Sequence, residues 1–135
     1  MVDEELKEKI MAKIDDGSFG VDDLEEYMKL FLSIANDTED VQEEVEGWNR
    51  LFAFKLTGSE NFWLKVEDGK FSYGKGEVNN QDITLECTGE TAAGVFTGEI
   101  DATSAYMSGD LKVQGPLPDA VKFRTITELV REELD

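Results

Sequence analysis

The sequence predicts an α+β fold in which helices cover one face of a five-stranded sheet, and three observations carry that prediction. Before Gly47 the apolar residues recur at helical spacing, and from Trp48 onward the period falls to two. Each period-two run also keeps its apolar side chains on one side and its polar ones on the other. A sheet with a single apolar face must bury that face beneath another layer, here helices, and leave the opposite face to water.

The elements follow in order. Leu6, Ile10 and Ile14 recur every four residues and form one stripe of a short helix, which Asp16-Gly17-Ser18-Phe19-Gly20 ends. A second helix is expected from about Val21 to Ala35. Val21, Leu24, Met28 and Phe31 lie on its apolar side, and Asp22, Asp23, Glu25 and Glu26 in its first turns complement the positive end of the helix dipole. Asn36-Asp37-Thr38 forms a turn with a capping candidate, and Val41, Val45 and Trp48 suggest a third short helix.

Phe52, Phe54 and Leu56 then share one face of a first strand, and Phe62, Leu64 and Val66 share that of a second. Asp68-Gly69 before Phe71-Ser72-Tyr73 signals a two-residue hairpin, because both central positions of a type I′ turn take positive φ. Residues 50–74 therefore read as an antiparallel three-strand meander. Ile83, Leu85 and Cys87 mark a fourth strand after a polar link, and Leu111 and Val113 a fifth. Of the thirteen inward side chains on these strands, five are aromatic. Between strands four and five lie two short helices that end at Gly98 and Gly109, the second opened by Asp101. Pro118 suits the first turn of a last helix that runs to Leu134.

Composition excludes several functions. The chain has 135 residues, 31 acidic and 13 basic, a net charge of −18, no histidine and one cysteine. Without imidazole, Ser-His-Asp and Cys-His catalysis and the common zinc sites are closed to it. Cys87, inward on the fourth strand, reads as an inert buried thiol. The acidic field repels phosphate and the basic residues are scattered singly, so nucleic acid is not an expected partner. Asp15-Asp16 and Asp22-Asp23 are carboxylate pairs, but the spacing of a twelve-residue calcium loop is missing, and they read as solvated helix surface. No metal or other cofactor is expected. No apolar run is long enough to span a membrane, no secretory signal opens the chain and no peroxisomal Ser-Lys-Leu ends it, so the cytoplasm is the expected location.

The charge is unevenly placed. Residues 1–46 hold sixteen acids and four bases, and the remainder holds fifteen and nine. This division predicts an acidic helical extension over residues 1–36 and a binding domain over residues 37–135, within a single compact domain overall, with the extension contributing solubility and no part of a binding site.

From Phe96 to Gly115 the sequence reads FTGEIDATSAYMSGDLKVQG. Phe96, Gly98, Ala105, Tyr106, Met107, Gly109, Leu111, Lys112 and Gly115 occupy a pattern that strongly resembles the signature of the sterol carrier protein-2 family, and the order of elements over about residues 37–134 is similar too. The resemblance, to a stand-alone member of prokaryotic type, implies a mixed sheet, with an apolar tunnel between it and the helices. Members bind sterols, fatty acids, fatty acyl-CoA or phospholipids. It implies a non-catalytic lipid carrier whose ligand is walled by Phe52, Phe54, Phe62, Leu64, Phe71, Ile83, Leu85, Phe96, Tyr106, Met107, Leu117 and Val121. Met107 suits an adaptable wall or plain core filling. Lys112 reads as a surface charge or a headgroup contact. Membrane contact is expected to be transient at most, because so acidic a protein is repelled by anionic bilayers. The charged stretch Thr127–Asp135 stands where the family often has an apolar closing tail. The competing expectation is a protein-interaction or dimerisation module with a filled core, distinguished by the lack of any cavity above about 300 Å³.

Overall fold

The computed structural model describes residues 3–134; Met1, Val2 and Asp135, the outermost residues of the expected extension and domain, lie outside them. The chain runs α1 (Glu4–Asp16), a 3₁₀ turn (Val21–Asp23), α2 (Leu24–Asp37), α3 (Glu39–Glu44), β1 (Arg50–Thr57), β2 (Phe62–Glu67), β3 (Lys70–Lys75), β4 (Ile83–Thr88), α4 (Gly89–Thr97), α5 (Ala102–Ser108), β5 (Lys112–Gln114) and α6 (Leu117–Leu134). The strands form one five-stranded sheet in the order β3-β2-β1-β4-β5. The pairs β1–β2, β2–β3 and β4–β5 are antiparallel and β1–β4 is parallel, which makes the sheet mixed.

Local chemistry sets the boundaries. The Asp3 carboxylate accepts from the Glu5 and Leu6 amides to cap α1, and Gly17, left-handed at φ 77°, ends it. Asp68 and Gly69 take φ 51° and 81°, the positive pair that a type I′ hairpin requires. Asp101 accepts from the Ser104 amide to open α5. The third helix stops at Glu44, short of its expected reach, but Val45 and Trp48 are buried all the same.

The inward strand face is the core, and α2 supplies its largest plug. Leu24, Tyr27, Met28, Phe31, Ile34 and Ala35 recur at three- and four-residue spacing and are all buried. Phe31 meets Phe71, Phe96 and Phe123 at ring separations of 6.2, 5.8 and 6.3 Å, and the Tyr27 hydroxyl donates to the Phe96 carbonyl at 2.8 Å. Burial holds the Tyr27 phenol well above its usual pKa, so it stays a donor. The boundary expected after residue 36 therefore cuts through the end of a core helix. Negative charge on the outer side of α2 marks its wet face, and its apolar face belongs to the same hydrophobic core as the sheet.

The outer face of the sheet is less open to water than its alternation predicts. Lys75 ends β3 beside Phe62, whereas Ile83 opens β4 beside Phe52, so residues 76–82 must travel back across β2 and β1. They do so on the face away from the helices. The Gly76 amide donates to the Asn61 carbonyl at 2.8 Å; Leu51 donates to the Asp82 carboxylate at 2.8 Å and accepts from the Asp82 amide at 2.9 Å. Outward-facing Ala53 and Thr84 are buried in consequence.

Candidate functional site

A cleft of about 340 Å³ opens between the β4–β5 end of the sheet and helices α4, α5 and α6. Its floor is Phe54, Leu85, Cys87, Phe96 and Phe123, and its walls include Val95, Tyr106, Met107, Leu117 and Val121. Small side chains make the space: α4, α5 and α6 present Ala92, Ala102 and Ala120 toward the sheet where larger residues would fill it. Thr103, Arg124 and Thr127 are its few polar neighbours. A shallower depression of about 420 Å³ lies on the outer sheet face, lined by Asn49, Arg50, Lys65, Glu67, Asn80 and Asp82 with Trp63. It is larger but more open, and its lining mixes charged and amide side chains with Leu51, Trp63, Val66 and Val78, so the smaller and almost wholly apolar cleft is the better candidate.

Three polar attachments hold the walls in place. At the start of α6, buried Asp119 accepts from Trp48 Nε1 at 2.9 Å and from Arg50 Nε at 2.8 Å. Burial alone would raise its pKa, but these hydrogen bonds and the nearby Arg50 and Lys122 charges outweigh it and hold the carboxyl below the usual range. Arg50 and Lys122 both lie over the Trp48 ring, at 5.8 and 5.5 Å. Farther along α6, Arg131 Nη1 donates to the Val95 carbonyl at 3.2 Å and so caps α4. Arg124 stands 3.5 Å from the Asp101 carboxylate, tying α6 to the cap of α5.

Of the expected wall residues, Phe54, Leu85, Phe96, Tyr106, Met107, Leu117 and Val121 line the cleft. Phe52, Phe62, Leu64, Phe71 and Ile83 do not; they are buried in solid core, where Phe31 covers Phe71 and Trp48 packs on Phe52. Strand alternation assigns a side chain to a face but says nothing of what covers it. Cys87, Leu111 and Val113 were in the same alternating set and belong to the cleft, and Phe123, three residues from both Ala120 and Ile126, was legible as part of the α6 stripe. The alanine walls left no periodic signal. Burial pushes the Cys87 thiol up to about 11. Met107 is not core filler: among the described residues, the exposed large hydrophobics are Tyr106 (44%), Met107 (80%), Leu117 (46%) and Val121 (56%), all at the cleft mouth. The N-terminal carboxylates have local partners, Asp23 with Lys13 and the Gly20 amide and Asp16 with the Ser18 amide.

A profile of the SCP-2 sterol transfer family matches residues 28–128. The chain belongs to this family. Residue 28 lies within α2, in keeping with that helix being part of the core. Hydroxysteroid dehydrogenase-like protein 2 of Xenopus tropicalis is 31% identical over 121 residues, covering 87% of this chain and 27% of that protein. The chain thus spans about a quarter of the length of the curated relatives it matches. Among solved structures, a UbiJ-SCP2 ubiquinone synthesis protein superposes with a TM-score of 0.65 at 14% identity, covering 76% of this chain and 90% of that one. A crystal structure of sterol carrier protein 2 gives 0.60 at 19% identity, with 76% and 91% covered. These likenesses fix the fold of this SCP-2 family domain, and the family is one of lipid binding and transfer. Among the described residues no helix is long and apolar enough to cross a membrane.

Proposed function

We propose that this SCP-2 family domain binds the apolar part of a lipid in the cleft between β4, β5, α4, α5 and α6 and carries it without chemical change. The carrying observation is the cleft itself: about 340 Å³ of space with an aromatic floor, opening at a rim of exposed apolar side chains. A filled-core interaction module has no use for such a space. Fatty acid, fatty acyl-CoA, phospholipid and sterol-like molecules all offer the apolar body the cleft selects, and the wall residues proposed to meet it are Phe54, Leu85, Phe96, Tyr106, Met107, Leu117 and Val121 with Cys87 and Phe123. A single unpaired thiol suits a reducing compartment, and the proposal places the carrier in the cytoplasm. Nucleic acid has no part in it.

Titration with fluorescent fatty acids of increasing length tests the reading. Each added methylene should tighten binding about fourfold, from roughly 0.8 kcal/mol of apolar burial, until the cleft is full and the gain stops. Native mass spectrometry of freshly purified protein should show co-purified lipid at one per chain. An affinity independent of chain length, or the absence of saturable binding and of any co-purified lipid, overturns the proposal.

A further inference from the structure

We propose that Arg124 reads the head of the ligand, and that the cleft takes an amphiphile with an anionic head, a carboxylate or a phosphate, in preference to a neutral lipid. The inference rests on the lipid-binding reading and narrows it, from an apolar body of any kind to one that carries a negative end. The cleft is polar at one end only. Asp101, which opens α5, stands 3.5 Å from Arg124, Thr103 follows in the first turn of α5, and Thr127 is one turn beyond Arg124 on α6. Thr103, Arg124 and Thr127 are therefore gathered between the start of α5 and the middle of α6, while the aromatic floor and alanine walls make up the rest. An apolar pocket with a few polar groups at one place fixes the orientation of what it binds. The Thr127 hydroxyl is spent on the Arg124 carbonyl at 2.7 Å, which leaves the guanidinium as the charged donor at that end.

Its present partners hold that guanidinium loosely. Of the three arginines, Arg50 donates to Asp119 and to the Asn49 carbonyl and Arg131 donates to the Val95 carbonyl, each in a hydrogen bond of 2.8–3.2 Å. Arg124 instead forms two longer ion pairs, Nη2 at 3.5 Å from Asp101 Oδ1 and Nε at 3.3 Å from Glu128 Oε1, and among the described residues donates no hydrogen bond. Its side chain is 44% exposed, so both pairs are screened and weak. Asp101 can also release it without harm to α5. The cap uses the other oxygen, Oδ2, which accepts from the Ser104 amide at 3.1 Å and the Ser104 hydroxyl at 2.9 Å. A carboxylate or phosphate arriving with the lipid can meet the planar guanidinium with two parallel N–H···O bonds, a geometry that neither present partner supplies. A hydroxyl or ester head brings no charge to replace that of Asp101, so it gains little from the exchange.

The test titrates the whole chain with fluorescent cis-parinaric acid and with its methyl ester, at physiological ionic strength, where the net charge of −18 acts over only about 8 Å. The acid should bind about five- to tenfold more tightly than the ester. The ratio of the two affinities is the readout, since it cancels any general loosening of the cleft. Arg124→Met should bring the ratio close to one, and Arg124→Lys, which keeps the charge and loses the fork, should restore part of it. Asp101→Asn keeps an oxygen to cap α5 and removes the competing charge, so it should raise the ratio about twofold. Displacement of the bound acid by dodecyl phosphate and by dodecanol separates the two anionic heads: the phosphate should compete better than the alcohol in wild type and lose that lead in Arg124→Met, and whichever of phosphate and carboxylate depends more on Arg124 is the head it reads. Acid and ester bound alike by the wild type overturn the proposal. So does a ratio that survives Arg124→Met, or one that falls in Asp101→Asn, because a merely structural Arg124 weakens acid and ester in step. Saturable binding of both probes with no preference sinks only the reading of Arg124, whereas failure of both to bind sinks the cleft as a lipid site and this proposal with it.

Discussion

Replacing Asp119 by alanine removes the carboxylate that fastens the start of α6 to Trp48 and Arg50. The carboxylate is 7% exposed and accepts at 2.9 Å from Trp48 Nε1 and at 2.8 Å from Arg50 Nε. Truncation leaves the indole donor buried and unpaired, at a cost of about 1–3 kcal/mol. Arg50, with 35% of its side chain exposed, can turn to water, so its loss falls well below the roughly 3–5 kcal/mol of a fully buried pair. Together they give about 2–4 kcal/mol, a fall in Tm on the order of 10 °C for a domain of this size. Asp119→Asn keeps a neutral acceptor and should lose about half as much. The pH dependence has a definite sign. The folded carboxyl is held below its unfolded pKa, so its contribution is complete above the unfolded value of about 4 and is lost as pH falls through the folded value. Thermal unfolding followed by circular dichroism should show a wild-type advantage over Asp119→Asn that is flat from about pH 5 to 8 and shrinks below about 4. An Asp119→Ala protein melting within about 1 °C of wild type, or an advantage that grows on acidification, refutes the reasoning.

The other expectations are quicker to state. With its thiol at about 11 instead of the usual 9.0, Cys87 should be alkylated about a hundredfold more slowly than an ordinary thiol at pH 8, with a rate still climbing at pH 10 and falling further when lipid occupies the cleft; stopped-flow or mass-spectrometric labelling checks it, and rapid labelling at pH 8 refutes it. Deleting residues 1–36 should leave an unfolded chain, because it removes buried Tyr27, Met28, Phe31, Ile34 and Ala35 along with the acidic charge, although no cleft-lining residue is lost; a soluble truncate with cooperative melting and intact fatty acid binding contradicts this. Gly74→Val should cost about 1–3 kcal/mol, since a Cβ there overlaps the Trp63 indole lying across β3, and the displaced ring should shift its fluorescence to the red; unchanged emission and Tm show that the indole has room.

Most of the fold was legible because each decisive signal was local. Asp68-Gly69 dictated a turn, Gly98 and Gly109 dictated helix ends, and the alternation of Phe52, Phe54 and Leu56 dictated a face. What was not legible depended on residues far apart in the chain. That Phe71 is sealed and Leu85 is not follows from α2 placing Phe31 over one while α4 and α6 present alanines over the other. The same non-local fact bears on the expected extension: the acids of α2 are visible in sequence, but its covering of the sheet is not. The crossover between the third and fourth strands was implied by the family resemblance, but its passage over the outer face, which buries Ala53 and Thr84, had no local signal.

The division of the sheet into a plugged half and an open half also gives the net charge of −18 a different meaning. Uniformly spread, it would oppose every approach to a lipid surface. It is not uniform: residues 1–46 hold sixteen acids against four bases, and among the described residues no carboxylate lines the cleft, whose one charged neighbour is Arg124. The apolar walls that leave the cleft open also keep carboxylates out of its lining. Added acid on α1 should then raise solubility with little effect on lipid uptake, whereas the same charge at Val121 should impair uptake directly.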